Sequence, residues 1–259
     1  MAALPNSCNL HENHILRMLS ADEYRRLRLH MEPVALPRGE ILSQPDETIR
    51  YVYFPHRATI SVVAVMQDGA EVEAGIIGGE GMSGLPIVLG MESVPLLTMV
   101  QIPGDGTRMR ADVLRAESER GGQLHHLILR YAQAFFVQTA MTAACNRLHR
   151  LDERLSRWLL MCQDRTKSAE LELTHEFMAV MLGVRRAGVT EALGSLQRAG
   201  LLTMMRGQIT ILNRAGLEES ACECYGVITR EFARLGDAPP PRRAEPLLVP
   251  VRQPSFSGN

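Results

Sequence analysis

Residues 173–212 read LTHEFMAVMLGVRRAGVTEALGSLQRAGLLTMMRGQITIL and contain two short helical patterns. The hydroxyl of Thr174 can cap the first helix, and Gly183 stands where that helix must end, because glycine accepts the left-handed conformation of such a turn. Gly200 ends the second helix in the same way. The apolar faces of the two helices consist of Met178, Ala179, Met181 and Leu182, and of Val189, Ala192, Leu193 and Leu196. Two short helices joined by a tight glycine turn predict a helix-turn-helix, whose second helix can enter the major groove of DNA.

The segments that follow, 201–205 and 208–212, are joined at Arg206-Gly207 and predict a hairpin, or wing, behind the second helix. Residues 147–214 contain eleven Lys or Arg and seven Asp or Glu, whereas residues 1–120 contain eleven Arg and sixteen Asp or Glu. A polyanion is therefore attracted by residues 147–214 and repelled by residues 1–120. The expected partner of the C-terminal half is therefore double-stranded DNA.

The N-terminal half has a different pattern. Residues 14–31 have the apolar spacing of one short amphipathic helix. Between residues 34 and 113, short extended runs are separated by Gly, Pro and Asp, and Asp68-Gly69 between two of them is a strong hairpin signal. Many short strands at this spacing predict a barrel. We therefore predict an α+β chain in which a jelly-roll β-barrel over residues 14–120 precedes a winged helix-turn-helix over residues 149–217.

A long helix, assigned to residues 121–148, is predicted between these two parts. A three-four alternation runs along it through Leu124, Leu127, Tyr131, Ala134, Gln138, Met141, Cys145 and Leu148. This heptad pattern predicts a dimerisation helix and hence a homodimer. The alternative is a helix that packs on its own domain. Residues 236–259 are rich in proline and are predicted to be disordered.

From about Ile15 to Leu217, this order of elements resembles the Crp/Fnr superfamily, the relatives of the cyclic-AMP receptor protein. The resemblance includes Arg38-Gly39-Glu40 before a strand, the turn at Gly79-Glu80, the long helix and the wing at residues 206–212. The helix-turn-helix and the wing are its specific parts, and the barrel matches more loosely. The resemblance implies a transcription regulator with an N-terminal effector barrel and RNA polymerase as a further candidate partner.

In this superfamily the start of the second helix reads base edges. The matching positions here are Arg185, Arg186, Ala187, Thr190 and Glu191. Arg186 could bond guanine in bidentate fashion and Glu191 could accept a bond from cytosine. Candidate phosphate contacts are Thr174, His175, Arg198 and Arg206, with a solvated helix face as the alternative role for Arg198. Ala187-Gly188 departs from the usual polar start of the helix, so the alternative function is a signalling or protein-interaction module with a degenerate helix-turn-helix.

The superfamily's barrel often binds a cyclic nucleotide through a Glu and an Arg. Aligned through Gly79-Glu80, these positions fall on Gly84 and about Val94, and residues 58–107 contain no Lys or Arg. We therefore do not expect a cyclic nucleotide, because its phosphate would lack a charged partner. The G-x-G-x-x-G string at residues 79–84 is interpreted as a barrel turn, because Pro86 follows it at once.

The effector is left unidentified, and no cofactor is expected. An iron–sulfur cluster needs several N-terminal cysteines and only Cys8 is present, whereas haem would need a histidine such as His56, His125 or His126. No metal site is expected either. Cys222 and Cys224 are two residues apart, and on a helix such positions do not face each other.

Enzymatic activity is not expected, because a metal-dependent barrel enzyme would need several histidines and residues 34–113 contain only His56. The N-terminus has no secretory signal pattern, and no apolar stretch reaches the roughly 20 residues of a membrane span. The sequence therefore predicts a cytoplasmic protein without a membrane partner.

Overall fold

The computed structural model describes residues 12–236. Cys8 and the predicted disordered tail after Gly236 lie outside the described residues. No helix within the described part of the chain is long and apolar enough to cross a membrane.

The described chain begins with two short helices, α1 (His14–Arg17) and α2 (Ala21–Leu27), and a 3-10 turn at Arg28–His30. The prediction of one helix over residues 14–31 is therefore wrong. Ser20 starts a new helix, since its hydroxyl accepts the Glu23 N–H at 3.3 Å while the Glu23 carboxylate accepts the Ser20 N–H at 3.2 Å. This reciprocal capping box fixes the break between the two helices.

Seven strands follow, and they form the predicted β-roll. They are β1 (Glu32–Leu36), β2 (Ile41–Ser43), β3 (Tyr51–Pro55), β4 (Thr59–Val65), β5 (Glu71–Ile77), β6 (Leu97–Ile102) and β7 (Gly104–Arg110). They build two antiparallel sheets, with strand orders β1-β7-β3 and β2-β6-β4-β5. Buried aliphatic side chains from both sheets, among them Leu36 and Ile60, form the core of the roll.

The predicted hairpin at Asp68-Gly69 joins β4 and β5. The Met66 N–H donates to the Ala70 carbonyl at 2.8 Å, which closes a three-residue loop. Gly69 has a φ of 83°, whereas Asp68 is not in the left-handed region. The turn is therefore one residue longer than a two-residue hairpin turn, and it needs glycine at one position only.

Three helices lead from the roll to the C-terminal part: α3 (Ala111–Ser118), α4 (Gln123–Leu148) and α5 (Leu151–Thr166). The long helix α4 confirms the predicted helix, but the predicted dimer seam is wrong. Leu124, Tyr131 and Gln138 of that seam are buried against the chain's own roll. The Gln138 amide donates to the Ile76 carbonyl at 3.0 Å, and the Tyr131 hydroxyl donates to the Met82 carbonyl at 3.1 Å. This face of α4 therefore packs on its own domain.

The C-terminal part consists of three strands and four helices. They are β8 (Glu170–Glu172), α6 (His175–Leu182), α7 (Arg186–Arg198), β9 (Leu202–Met205), β10 (Gln208–Ile211), α8 (Arg214–Ser220) and α9 (Cys224–Ala233). The strands form one sheet in the order β8-β10-β9. Helix α9 packs back against α4. Helices α8 and α9 were not predicted from the sequence.

Candidate nucleic-acid interface

The stretch 173–212 folds as the predicted helix-turn-helix and wing, formed by α6, α7, β9 and β10. The Thr174 hydroxyl caps α6 by accepting the Phe177 N–H at 3.2 Å. Gly183 ends α6 with a φ of 62°, and Gly200 follows α7 with a φ of 73°. The eight apolar residues assigned to the two inner faces are all buried. These local signals were enough to predict the two helices from sequence, because each signal acts within one turn of helix.

The outer face of α7 carries the predicted base-reading residues. Arg185, Arg186, Thr190 and Glu191 are all exposed. Arg185 is the N-cap of α7, and no side chain caps this end of the helix. The amide groups of the first turn therefore face outward beside two guanidinium groups, and both attract anions. The nearest ion pair is weak, since Arg186 Nε lies 3.9 Å from a carboxylate oxygen of exposed Glu176.

The wing turn lies next to the start of α6. Arg206 and Gly207 have φ values of 49° and 82°, which are typical of a tight two-residue hairpin turn. The Leu173 N–H donates to the Gly207 carbonyl at 2.9 Å. The exposed Arg206 and Thr174 are thereby held on the same edge of the domain.

His175, a predicted phosphate contact, is half-buried and has two partners within the domain. Its Nδ1 lies 2.7 Å from the Thr190 hydroxyl, and its Nε2 lies 2.7 Å from the Met204 sulfur. Both ring nitrogens therefore contact other side chains of the domain, at a partly exposed position where α6, α7 and β9 meet. The Arg198 guanidinium donates to the Ser195 hydroxyl at 3.0 Å on the exposed end of α7. It remains accessible to solvent.

Gly188 has a packing explanation. A Cβ atom at this position would lie 3.0 Å from a methyl group of Leu151 in α5. The first turn of α7 therefore approaches α5 closely, and glycine gives it room. The departure from the usual helix start does not by itself indicate a degenerate motif.

The positive charge of the C-terminal part is less available than its residue count suggests. Arg154, Arg157 and Arg165 are buried. Arg154 donates to the Leu182 carbonyl at 2.6 Å, and Arg165 lies 2.8 Å from the Glu80 carboxylate. Of the eight cations that remain in residues 147–214, four lie on α7 and the wing, namely Arg185, Arg186, Arg198 and Arg206.

The roll touches the helix-turn-helix at its turn. A Cβ atom on Gly183 would lie 3.1 Å from a methyl group of Val72 in β5. A cleft beside this contact is lined by Glu71 and its neighbours on one side and by Arg185 and Arg186 on the other. An acidic hairpin of the roll thus lies beside the anion-attracting end of α7.

The roll contains an apolar cavity of about 130 Å³. Gly84 and Val94, the positions aligned with the Glu and Arg of cyclic-nucleotide-binding barrels, both line it. Tyr131 and Phe135 of α4 close one side. The side chains around the cavity include hydroxyls but none that is charged. Of the histidines considered for haem, His56 is buried and bonded through both ring nitrogens, to Thr107 and Asp105.

Sequence reasoning missed a cluster formed by Cys145, His149, Cys222 and Cys224. The expectation that Cys222 and Cys224 point apart on one helix is wrong, because α9 begins only at Cys224 and Cys222 lies in the connection before it. Cys145 and His149 are four residues apart at the end of α4, a spacing that places two side chains on one helical face. That spacing was the signal in the sequence from which the cluster could have been found.

Comparisons with known proteins agree with this geometry. Residues 153–220 match the family described as the Crp-like helix-turn-helix domain. The global nitrogen regulator of Synechococcus elongatus is 22% identical over 217 residues, which cover 80% of this chain and 97% of that protein. The corresponding regulator of Synechocystis is 23% identical over 208 residues, covering 76% and 92%.

Solved structures are similar in fold. A transcriptional regulator from Eubacterium rectale, assigned to the Crp/Fnr family, has a TM-score of 0.59 at 18% identity and covers 81% of this chain and 98% of its own. The c-di-GMP-responsive global regulator CLP of Xanthomonas campestris has a TM-score of 0.61 at 15% identity, covering 74% and 99%.

Proposed function

We propose that this protein, a DNA-binding transcription regulator of the Crp/Fnr type, binds an inverted repeat as a homodimer and reads each half-site with α7. The observation that carries the proposal is the exposed first turn of α7, where Arg185 and Arg186 flank an uncapped helix N-terminus. A helix end of this kind fits the major groove of a duplex.

The residues divide into two roles. Arg186 and Glu191 are proposed to read base edges, because they lie on the exposed face of α7 and have side chains suited to guanine and cytosine. Thr174, Arg198 and Arg206 are proposed to contact phosphates, which orient the domain without reading sequence. His175 is proposed to act indirectly, by holding Thr190 and the wing strand in place.

A second copy of the chain is proposed to pack on the outer face of α4. The exposed residues there have their own three-four spacing at Leu129, Gln133, Phe136, Ala140 and Ala143. Phe136 is 67% exposed, which is unusual for a large aromatic side chain on a helix. Small alanines below it allow two helices to approach closely. A parallel pair of α4 helices would place two copies of α7 on one side of the dimer, as half-sites about one helical turn apart require.

The effector is proposed to be an uncharged, largely apolar molecule rather than a cyclic nucleotide. The cavity in the roll is lined by apolar and hydroxyl side chains, with Gly84 and Val94 at the two positions where a charged ligand would need partners. The same charge reasoning applies to a cyclic dinucleotide such as the one that the Xanthomonas regulator responds to. A phosphate buried without a cation would lose its hydration with little compensation.

The experiment is selection of genomic fragments by the purified full-length protein, followed by fluorescence anisotropy on the selected and on random duplexes. Affinity should fall steeply with salt on both. Arg186→Ala should cost about 1–3 kcal/mol on the selected site and little on random DNA. Arg206→Ala should weaken both similarly. Arg25→Ala, an exposed arginine on α2 far from α7, serves as the matched control and should change neither.

Two results would refute the proposal. One is a protein that retards no fragment even at low salt, which would instead indicate a protein-interaction module. The other is an equal loss on selected and random DNA for Arg186→Ala, which would remove the base-reading role.

A further inference from the structure

A compact group of soft metal ligands lies at the hinge, the connection of residues 149–150 between α4 and α5. The Sγ atoms of Cys145, Cys222 and Cys224 and a ring nitrogen of His149 all lie within 4.8 Å of one another. The Cys145 and Cys222 sulfurs are 3.4 Å apart, and the Cys224 sulfur is 3.7 Å from His149 Nδ1. The three cysteines are buried, and none forms a disulfide.

These distances suit a single tetrahedral ion. With metal–sulfur bonds of about 2.3 Å and metal–nitrogen bonds of about 2.0 Å, two sulfur ligands lie about 3.8 Å apart and a sulfur and a nitrogen lie about 3.5 Å apart. The separations of 3.4 Å and 3.7 Å differ from these values by a few tenths of an ångström, and the other separations are at most 4.8 Å. A small adjustment of side-chain torsions would therefore complete the geometry.

The second ring nitrogen of His149 has the partner that metal-bound histidines usually have. His149 Nε2 lies 3.1 Å from a carboxylate oxygen of Glu223. A carboxylate on the outer nitrogen fixes the ring orientation and leaves the inner nitrogen free to bind a metal. Glu223 stands between the two cysteines in sequence, so the connection before α9 and the first residue of α9 together supply two sulfurs and the histidine's partner.

A buried positive charge lies beside the cluster. Arg157 is only 2% exposed, and its Nε has no hydrogen-bond partner within the described structure. The Arg157 guanidinium interacts with the Cys145 thiol. Three thiolates, a neutral imidazole and a divalent cation carry one net negative charge. Such a unit would compensate the buried guanidinium, which three neutral thiols do not.

We propose that Cys145, His149, Cys222 and Cys224 bind one Zn²⁺ ion. Three sulfurs and one nitrogen complete a four-coordinate shell and leave no position for a substrate, so the site is structural. Its ligands come from the end of α4, from the connection between α8 and α9 and from the first residue of α9. The ion therefore fastens the C-terminal helix α9 to the hinge at which α4 gives way to α5.

The first test is the metal content of the full-length protein, expressed in medium supplemented with zinc and purified without chelators. We expect one zinc per chain. After removal of zinc, Co²⁺ should give the intense visible absorption of a tetrahedral thiolate site, and zinc should displace it. The absence of stoichiometric zinc, or a weak Co²⁺ spectrum typical of six oxygen and nitrogen ligands, would overturn the proposal.

Variants identify the ligands. Cys222→Ser and Cys224→Ser should abolish stoichiometric zinc, whereas Cys162→Ser should retain it, because Cys162 is buried elsewhere and contacts Gln101. Glu223→Gln keeps all four ligands and should bind zinc about 10–100-fold more weakly in a competition titration. Unchanged zinc content in both ligand variants would refute the assignment, and so would unchanged affinity in Glu223→Gln.

A thiol count distinguishes the competing chemistry. A zinc-loaded protein should release all three cluster thiols for alkylation only after chelation. Recovery of a Cys145–Cys222 disulfide from protein isolated under non-oxidising conditions would show that these sulfurs serve redox chemistry, and the zinc site would be refuted. The result does not depend on DNA binding, so it is separate from the test of the proposed function.

Discussion

Glu73 lies in β5 at the contact between the roll and α5, and replacing it with glutamine tests how that contact responds to pH. Its carboxylate accepts the indole N–H of Trp158 at 2.8 Å and the hydroxyl of Ser61 at 2.7 Å. Burial raises its pKa from 4.5 to about 7, against the lowering effect of these hydrogen bonds and of nearby arginines. The neutral acid is therefore the form that the folded protein prefers.

The direction of the pH effect follows from proton binding. The unfolded chain loses this proton near pH 4.5, but the folded protein loses it only near pH 7. Between these values the folded state binds more protons, so the free energy of unfolding falls as pH rises and levels off above the upper value. A difference of about 2.5 between the two pKa values corresponds to a loss of about 3 kcal/mol, since a factor of ten is worth about 1.4 kcal/mol.

Glutamine has the shape of the protonated acid, with an oxygen for the Trp158 N–H and an amide that can donate to Ser61. Glu73→Gln should therefore match the wild type near pH 4.5 and exceed its stability by up to about 3 kcal/mol at pH 8. Urea unfolding followed by tryptophan fluorescence measures this directly, because Trp158 is the chain's only tryptophan.

The matched control is Glu71→Gln, two residues earlier on the same strand and only half-buried. It should leave the pH dependence of the wild type unchanged. A Glu73→Gln protein that is less stable than the wild type at pH 8, or a difference that does not grow between pH 4.5 and 8, would refute the reasoning.

Three further predictions concern packing and assembly. Phe136→Glu should convert a dimer into a monomer by light scattering at micromolar concentration while leaving thermal stability intact, and a variant that stays dimeric would place the interface elsewhere. Gly84→Ala should lower the free energy of unfolding by at least about 2 kcal/mol in urea, because its φ is 96° and a Cβ would lie 2.5 Å from Val52. The control Gly90→Ala, with a φ of 84° and open space around it, should cost about 1–2 kcal/mol from backbone strain alone. Equal losses in the two variants would contradict the predicted clash with Val52. Asn13→Ala should cost about 3 kcal/mol, because the buried side chain caps α1 and donates to two carbonyls; a loss below about 1 kcal/mol in calorimetry would contradict this.

The helix-turn-helix could be predicted from sequence because its signals are local. The cap at Thr174, the glycines that end each helix and the turn at Arg206-Gly207 each act over four or five residues. The role of His175 could not be predicted, since its partners Thr190 and Met204 lie 15 and 29 residues away. A polar residue near the start of α6 has the same appearance in sequence whether it contacts DNA or the domain itself.

The prediction of a dimer seam on α4 was wrong for a different reason. The helix has two faces with the same three-four spacing, one containing Tyr131 and Gln138 and one containing Phe136. Periodicity shows that a face is patterned, but it does not show what covers it. That choice depends on the roll and on α9, and α9 was not predicted. The cysteine cluster was missed for the same reason, because α9 brings Cys222 and Cys224 to Cys145 across 77 residues of sequence.

The packing of Trp158 has a consequence for how this molecule can be dissected. Trp158 and Leu159 belong to one apolar cluster with Val63 and Ile76 of the roll and with Met178 and Leu193 of the helix-turn-helix. Cutting the chain at the hinge would expose this shared interior on both fragments. A fragment made of the C-terminal half alone should therefore aggregate or unfold, and any rearrangement that separates α5 and α6 from the roll must break this hydrophobic interior.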